Sequence, residues 1–111
     1  MMQKVADRFV RCIEQKKYYE AHEVLEAQWF AHRFEDRNDI KLLKGCINAA
    51  VSFELYKRGR YTQAKKVWMN YLKYRQLLYK IDTKEYNTYH YLVRFLDAYQ
   101  KELLVQKKQK S

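Results

Sequence analysis

The sequence predicts an all-α fold, a single-domain bundle of about five helices in antiparallel hairpins. Apolar residues recur at three- and four-residue spacing along most of the chain, the mark of helices with one buried face. The 111 residues include no proline and two glycines, Gly45 and Gly59. Sheets and sandwiches need turn chemistry about every ten residues, and it is missing here. A hydrophobic content of 48 % argues against disorder and suits one domain with one modest core. Eleven tyrosines fit a thin bundle, because a tyrosine buries its ring and keeps its hydroxyl wet.

The first helix is expected from Met2 to Gln15, with Val5, Phe9, Cys12 and Ile13 as its stripe. Lys16-Lys17 ends it, since cations suit a helix C-terminus. The second runs from Tyr18 to Arg33, with Tyr18, Ala21, Leu25, Trp29 and His32 on one face and Glu20 and Glu23 in its first turns. A polar connection over 36–39 follows, with Asp36 or Asp39 as N-cap of the next helix.

The third helix is expected from Ile40 to Arg58. It is apolar on a broad side through Ile40, Leu43, Ile47, Ala50, Val51 and Leu55. Gly45 inside it costs about 1 kcal/mol against alanine, so a neighbouring helix should approach closely there. Gly59 stands where a helix stop is expected. The fourth helix is expected from Tyr61 to Tyr79, and a turn over 80–83 carries Asp82 or Thr83 as cap. The fifth runs from Lys84 to Leu104 with Tyr86, Tyr89, Val93, Leu96, Tyr99 and Leu103 as its stripe. Residues 1–106 form the bundle domain and 107–111 a basic flexible tail.

One internal repeat stands out. Tyr18-x-x-Ala21-x-x-Val24-Leu25 and Tyr61-x-x-Ala64-x-x-Val67-Trp68 align at an offset of 43, each opening a helix after a basic turn. A small residue at such a position lets two helices approach, as in stacked helical hairpins. Two units are too few for a solenoid.

The net charge of +10 is unevenly placed. Residues 1–54 hold 9 Lys+Arg and 9 Asp+Glu, whereas 55–111 hold 14 and 4. Such asymmetry points to two surfaces with different electrostatic partners. Cys12 and Cys46 are too few and too far apart for a zinc or disulfide framework, and read as reduced packing residues of a cytoplasmic protein. No apolar run is long enough to span a bilayer, and no membrane partner is expected.

The stretch from Tyr18 to Trp29 crowds His22, Glu20, Glu23 and Glu26 beside a large aromatic. Glu20-Ala21-His22-Glu23-Val24-Leu25-Glu26 followed by Trp29 resembles the signature of the domain of unknown function 309 family, small all-helical bundles of bacteria, archaea and plastids. Leu43-x-Gly45-Cys46-Ile47-Asn48-Ala49-Ala50 is similar to that family's glycine-led helix, and Gly59 and Ala64 match its next turn and helix. The likeness covers about Val5 to Leu78. It departs at Asn48, where the family usually has glutamine, near Glu54 and Leu55, where a histidine is common, and at Gln63, in place of a small residue. The family has no established activity, so the resemblance implies the fold rather than a function.

On a wheel at 100° per residue, His22, Glu26 and Trp29 fall within about 60° of one another at the rim of the apolar stripe. His22 and Glu26 form an i,i+4 pair that can hydrogen-bond. Glu54 extends the apolar face of the third helix and needs a partner, with His22 or Arg33 as candidates. If the pair is a sealed structural network, removing one member costs about 3–5 kcal/mol.

Three functions follow from these residues. The leading one is a non-enzymatic module that binds a partner or small ligand around His22, Glu23, Glu26, Trp29, Asn48 and Glu54, with no cofactor. A second is a metal-dependent enzyme in which His22 and Glu26, with Glu23 and Glu54, hold a divalent ion, and one carboxylate acts as general base. A second Glu/His pair for a di-metal centre is absent from the other helices. A third is a nucleic-acid binder using the basic patch of Arg58, Arg60, Lys65, Lys66, Lys73 and Lys80, beside tyrosines that can stack on bases. No recognised nucleic-acid motif accompanies that patch. A homodimer is compatible with a bundle this small.

Overall fold

Helix boundaries follow the turn chemistry of the chain. The computed structural model describes residues 2–110, without the side chains of 107–110; of the basic flexible tail expected over 107–111, the backbone of 107–110 continues the last helix, and those side chains and Ser111 lie outside what is described. The helices are α1 (Met2–Glu14), α2 (Tyr18–Ala31), α3 (Asn38–Lys57), α4 (Tyr61–Arg75) and α5 (Tyr86–Lys110), with a short 3₁₀ turn at Gln76–Lys80. No strand occurs among the described residues, and no helix is long and apolar enough to cross a membrane.

α1 and α2 form one antiparallel hairpin, α3 and α4 a second, and α2 packs along α3. α5 lies across α1 and α3. α3 is therefore the central element. Leu42, Leu43, Cys46, Ala49, Ala50 and Phe53 on it are sealed, together with Phe9 and Ile13 from α1, Leu25 from α2, Tyr71 from α4 and Leu92 and Leu96 from α5. The inner tyrosines differ from the expectation of a wet hydroxyl: Tyr18 and Tyr99 pack their rings on Phe53, and their hydroxyls bond each other at 2.5 Å. Tyr71 is buried, and its hydroxyl donates to Asp97 Oδ1 at 2.9 Å while Arg75 donates to Oδ2 at 3.1 Å, which clasps α4 to α5.

The two hairpins turn in the same way. At the end of α1, Lys16 adopts φ +61°, its N–H donates to the Ile13 carbonyl at 2.9 Å, and Lys17 N–H donates to Cys12 at 2.8 Å. At the end of α3, Gly59 adopts φ +77°, its N–H donates to Tyr56 at 3.0 Å, and Arg60 N–H donates to Leu55 at 2.9 Å. Each is a left-handed helix stop with both bonds of the Schellman type. Lys17 (φ −93°, ψ 67°) and Arg60 (φ −90°, ψ 68°) then open the next helix alike. The offset of 43 seen in the sequence is thus a repeated supersecondary unit.

At Gly45 the hairpin of α3 and α4 closes tightly. A Cβ there would lie 2.5 Å from Tyr74 Cβ, so only glycine lets α4 come this close.

Several boundaries differ from expectation; α5, expected to end at Leu104, runs to Lys110, and α2, expected to end at Arg33, stops at Ala31. α4 stops at Arg75 and tightens into the 3₁₀ turn, which buries Leu78 and brings the Lys80 carbonyl 3.1 Å from Asn38 Nδ2. Neither Asp36 nor Asp39 caps α3: the N-cap is Arg37, with no side-chain cap. Asp36 pairs with Lys41 at 2.8 Å, and the buried Asp39 is gripped by the Arg37 guanidinium at 3.1 and 2.5 Å, so both carboxylates are already engaged. α5 begins at Tyr86 because Glu85 N–H bonds Thr83 Oγ1 at 3.2 Å and holds 83–85 as a turn.

Candidate functional site

α2 presents two faces. Tyr18, Ala21 and Leu25 point into the bundle, His22 and Val24 are partly buried at its edge, and Tyr19, Glu20 and Glu23 are exposed. His22 Nε2 lies 2.9 Å from Glu26 Oε2, with side chains 23 % and 53 % exposed. The pair forms as its spacing predicts, on a face open to water rather than in a sealed network. Glu23 is exposed beside it.

Glu54 joins neither His22 nor Arg33. It lies on α3 and pairs with Arg58, one turn on, at 2.7 Å. Helical spacing favours that partner, because i and i+4 already lie side by side. Asn48 donates to the Lys44 carbonyl of its own helix at 2.9 Å. Arg33 curls back to the Phe30 carbonyl and lies over the rings of Phe30 and Phe34. The six residues singled out therefore split into a strip on α2 (His22, Glu23, Glu26, Trp29) and two separate positions on α3.

Among the described residues, no three of His, Cys, Asp or Glu stand together as a metal would require. Cys46 is sealed, and burial pushes its thiol up to about 12, away from the nucleophilic thiolate. Ser52 Oγ donates to the Ala49 carbonyl.

Trp29 lines a shallow open hollow of about 430 Å³ together with Arg33, Phe34, Ile40, Lys41, Lys44 and Tyr74. The Lys44 ammonium lies 5.4 Å from the Trp29 ring centre, within cation–π range. The bend from α2 to α3 that forms its rim is tied by charge. His32 Nδ1 bonds Glu35, and Arg37 donates to Glu35 Oε1 at 2.9 Å. The His32 bond first and Arg37 second hold the Glu35 carboxyl below its usual range.

Beyond the motif, three aromatic rings stand in water on this side. Tyr19 is 63 % exposed, Phe30 55 % and Phe34 87 %. The sequence reading missed them, although the signal was there. Tyr19, Glu26 and Phe30 fall within about 40° on the same wheel that places His22. Tyr19 also lies ring to ring with His22 at 5.9 Å.

The basic patch lies elsewhere. Arg58 is occupied by Glu54, whereas Arg60, Lys65, Lys66, Lys73 and Lys80 are exposed. Thr62, Lys66, Met69, Lys73, Gln76 and Lys80 present one exposed face along α4 and its 3₁₀ extension.

Residues 6–67 match the family described as domain of unknown function (DUF309). Searches of curated proteins and of solved structures returned no match. The matched span runs through both left-handed turns and the whole of α2 and α3. Because it takes in more than half of the 111 residues, the chain belongs to the domain of unknown function 309 family.

Proposed function

We propose that the chain is a non-enzymatic interaction module that engages a partner protein through the outer face of α2 and the bend into α3. The observation that carries this reading is the exposure of Tyr19, Phe30 and Phe34 around His22, Glu26 and Arg33. Large rings left in water beside fixed charges are typical of contact surfaces, where aromatic and arginine side chains supply most of the binding energy. The hollow beside Trp29 adds a concave feature into which a partner side chain fits. The wet His22–Glu26 pair supplies polar contacts at the rim rather than chemistry.

The test is photo-crosslinking in the host cell, with p-benzoylphenylalanine in place of Phe34 or of Phe30. One discrete adduct of defined mass is expected from both positions. Lys73, exposed on α4, serves as control and yields none. Absence of an adduct from both phenylalanine positions, or the same adducts from Lys73, refutes the reading.

A further inference from the structure

Charge is unevenly paired around the hollow beside Trp29. The charged residues that line it are Arg33, Lys41, Lys44, Glu35 and Asp36. Both carboxylates are engaged. Asp36 pairs with Lys41 at 2.8 Å, and Glu35 is held by His32 and by Arg37 at 2.9 Å. Glu26, one turn before Trp29 on α2, pairs with His22 at 2.9 Å. Among the described residues, neither Arg33 nor Lys44 has a carboxylate within salt-bridge distance. Each lies over a ring instead. The Arg33 guanidinium carbon is 3.5 Å from the centre of the Phe30 ring, and the Lys44 ammonium is 5.4 Å from that of Trp29. The last turns of α5 lie at the other end of α3. There the Leu103 carbonyl accepts from the Tyr56 hydroxyl at 3.4 Å, about 24 Å along the helix from Ile40.

The two cations keep donors for an acceptor. Arg33 gives one N–H to the Phe30 carbonyl and retains others, and a cation–π contact leaves the Lys44 N–H groups accessible. The rest of the lining sets what should accompany that acceptor. Trp29, Tyr74 and Ile40 give the hollow an apolar part, and Phe34 stands in water beside them. An apolar side chain packed on these groups leaves water, and a carboxylate next to it meets Lys44 and Arg33. A lysine in the same place would meet two like charges. We infer that the hollow receives a short segment of the partner protein in which an aspartate or glutamate stands next to a large apolar residue. This rests on the partner reading above and gives that contact its chemistry.

The test uses the full chain, labelled with nitrogen-15, and three small probes. They are N-acetylphenylalanyl-glutamate amide and its glutamine and lysine counterparts. The signal is the Trp29 indole N–H resonance, assigned by its loss in Trp29→Phe. The glutamate probe should shift it saturably in the millimolar range, roughly threefold or more tighter than the glutamine probe, and the lysine probe should leave it unmoved. Lys44→Gln should weaken the glutamate probe roughly threefold and erase its advantage over glutamine, while Lys73→Gln, exposed on α4, changes nothing. Both positions are exposed, and circular dichroism confirms that each variant remains folded. No shift, equal affinity for the three probes, or an equal effect of Lys44→Gln and Lys73→Gln overturns the inference and leaves the crosslinking result standing. Tighter binding of uridine monophosphate than of the glutamate probe overturns it in favour of a nucleotide. Acid-selective shifts with no crosslinked adduct from Phe30 or Phe34 refute the partner reading and make a free small acid the occupant.

Discussion

Gly45→Ala adds one methyl group where α3 and α4 approach closely. The new Cβ would stand 2.5 Å from Tyr74 Cβ. Carbon atoms rest at about 3.5–4.0 Å, so α3 and α4 must part by about 1 Å. Overpacking of this kind costs about 1–3 kcal/mol. Alanine returns about 1 kcal/mol through its better helix propensity. The obstacle is a Cβ fixed to the backbone rather than the end of a flexible side chain, which places the cost near its upper limit. The expected net loss is about 1–2 kcal/mol, read from the urea midpoint at unchanged slope. The identity of the obstructing atom gives a further expectation. Tyr74→Ala keeps its Cβ and so does not relieve Gly45→Ala, whereas Tyr74→Gly removes it and does. In double-mutant cycles the glycine pair should show a coupling of about 1 kcal/mol or more, and the alanine pair much less. A Gly45→Ala protein as stable as the parent, or equal coupling in both cycles, refutes the close approach.

The paired turns predict opposite responses to exchanged residues. Gly59→Lys forces a side chain into the left-handed region and should lose about 1–2 kcal/mol, while Lys16→Gly relieves that conformation and should raise the thermal midpoint. Equal signs for the two would contradict the shared geometry. Tyr71→Phe removes the buried hydroxyl from Asp97 and should cost about 1–2 kcal/mol in chemical denaturation, because Arg75 still holds the carboxylate; no loss would mean that the clasp between α4 and α5 does not form.

The helices were legible because amphipathic spacing and the lack of proline leave few alternatives. Gly45 was legible for the same reason: a glycine in mid-helix with no turn context implies a close neighbour, and Tyr74 is that neighbour. Gly59 announced its left-handed stop, but Lys16 takes the same conformation without any residue-type signal, so the repeat showed in the Tyr and Ala positions and not in its turns. Along α5, Tyr89, Val93 and Leu96 are buried and Tyr99 and Leu103 pack against the core, as the spacing predicts. Leu92 is sealed, whereas Tyr86 is exposed, because the helix starts later and lies across α1 and α3. At the candidate site, spacing alone paired His22 with Glu26. Burial could not be read the same way, since it depends on which elements cover α2, and the pair lies at the rim of the covered face. The aromatics Tyr19, Phe30 and Phe34 were passed over because large rings are ordinarily assigned to cores.

The unfolding free energy of His22→Ala tests most directly whether the motif faces a partner rather than the interior. An i,i+4 pair with a half-wet carboxylate contributes about 0.2–0.5 kcal/mol, so the account predicts a loss within about 1 kcal/mol of the parent protein. A loss of about 3 kcal/mol or more would show a buried network and contradict the account.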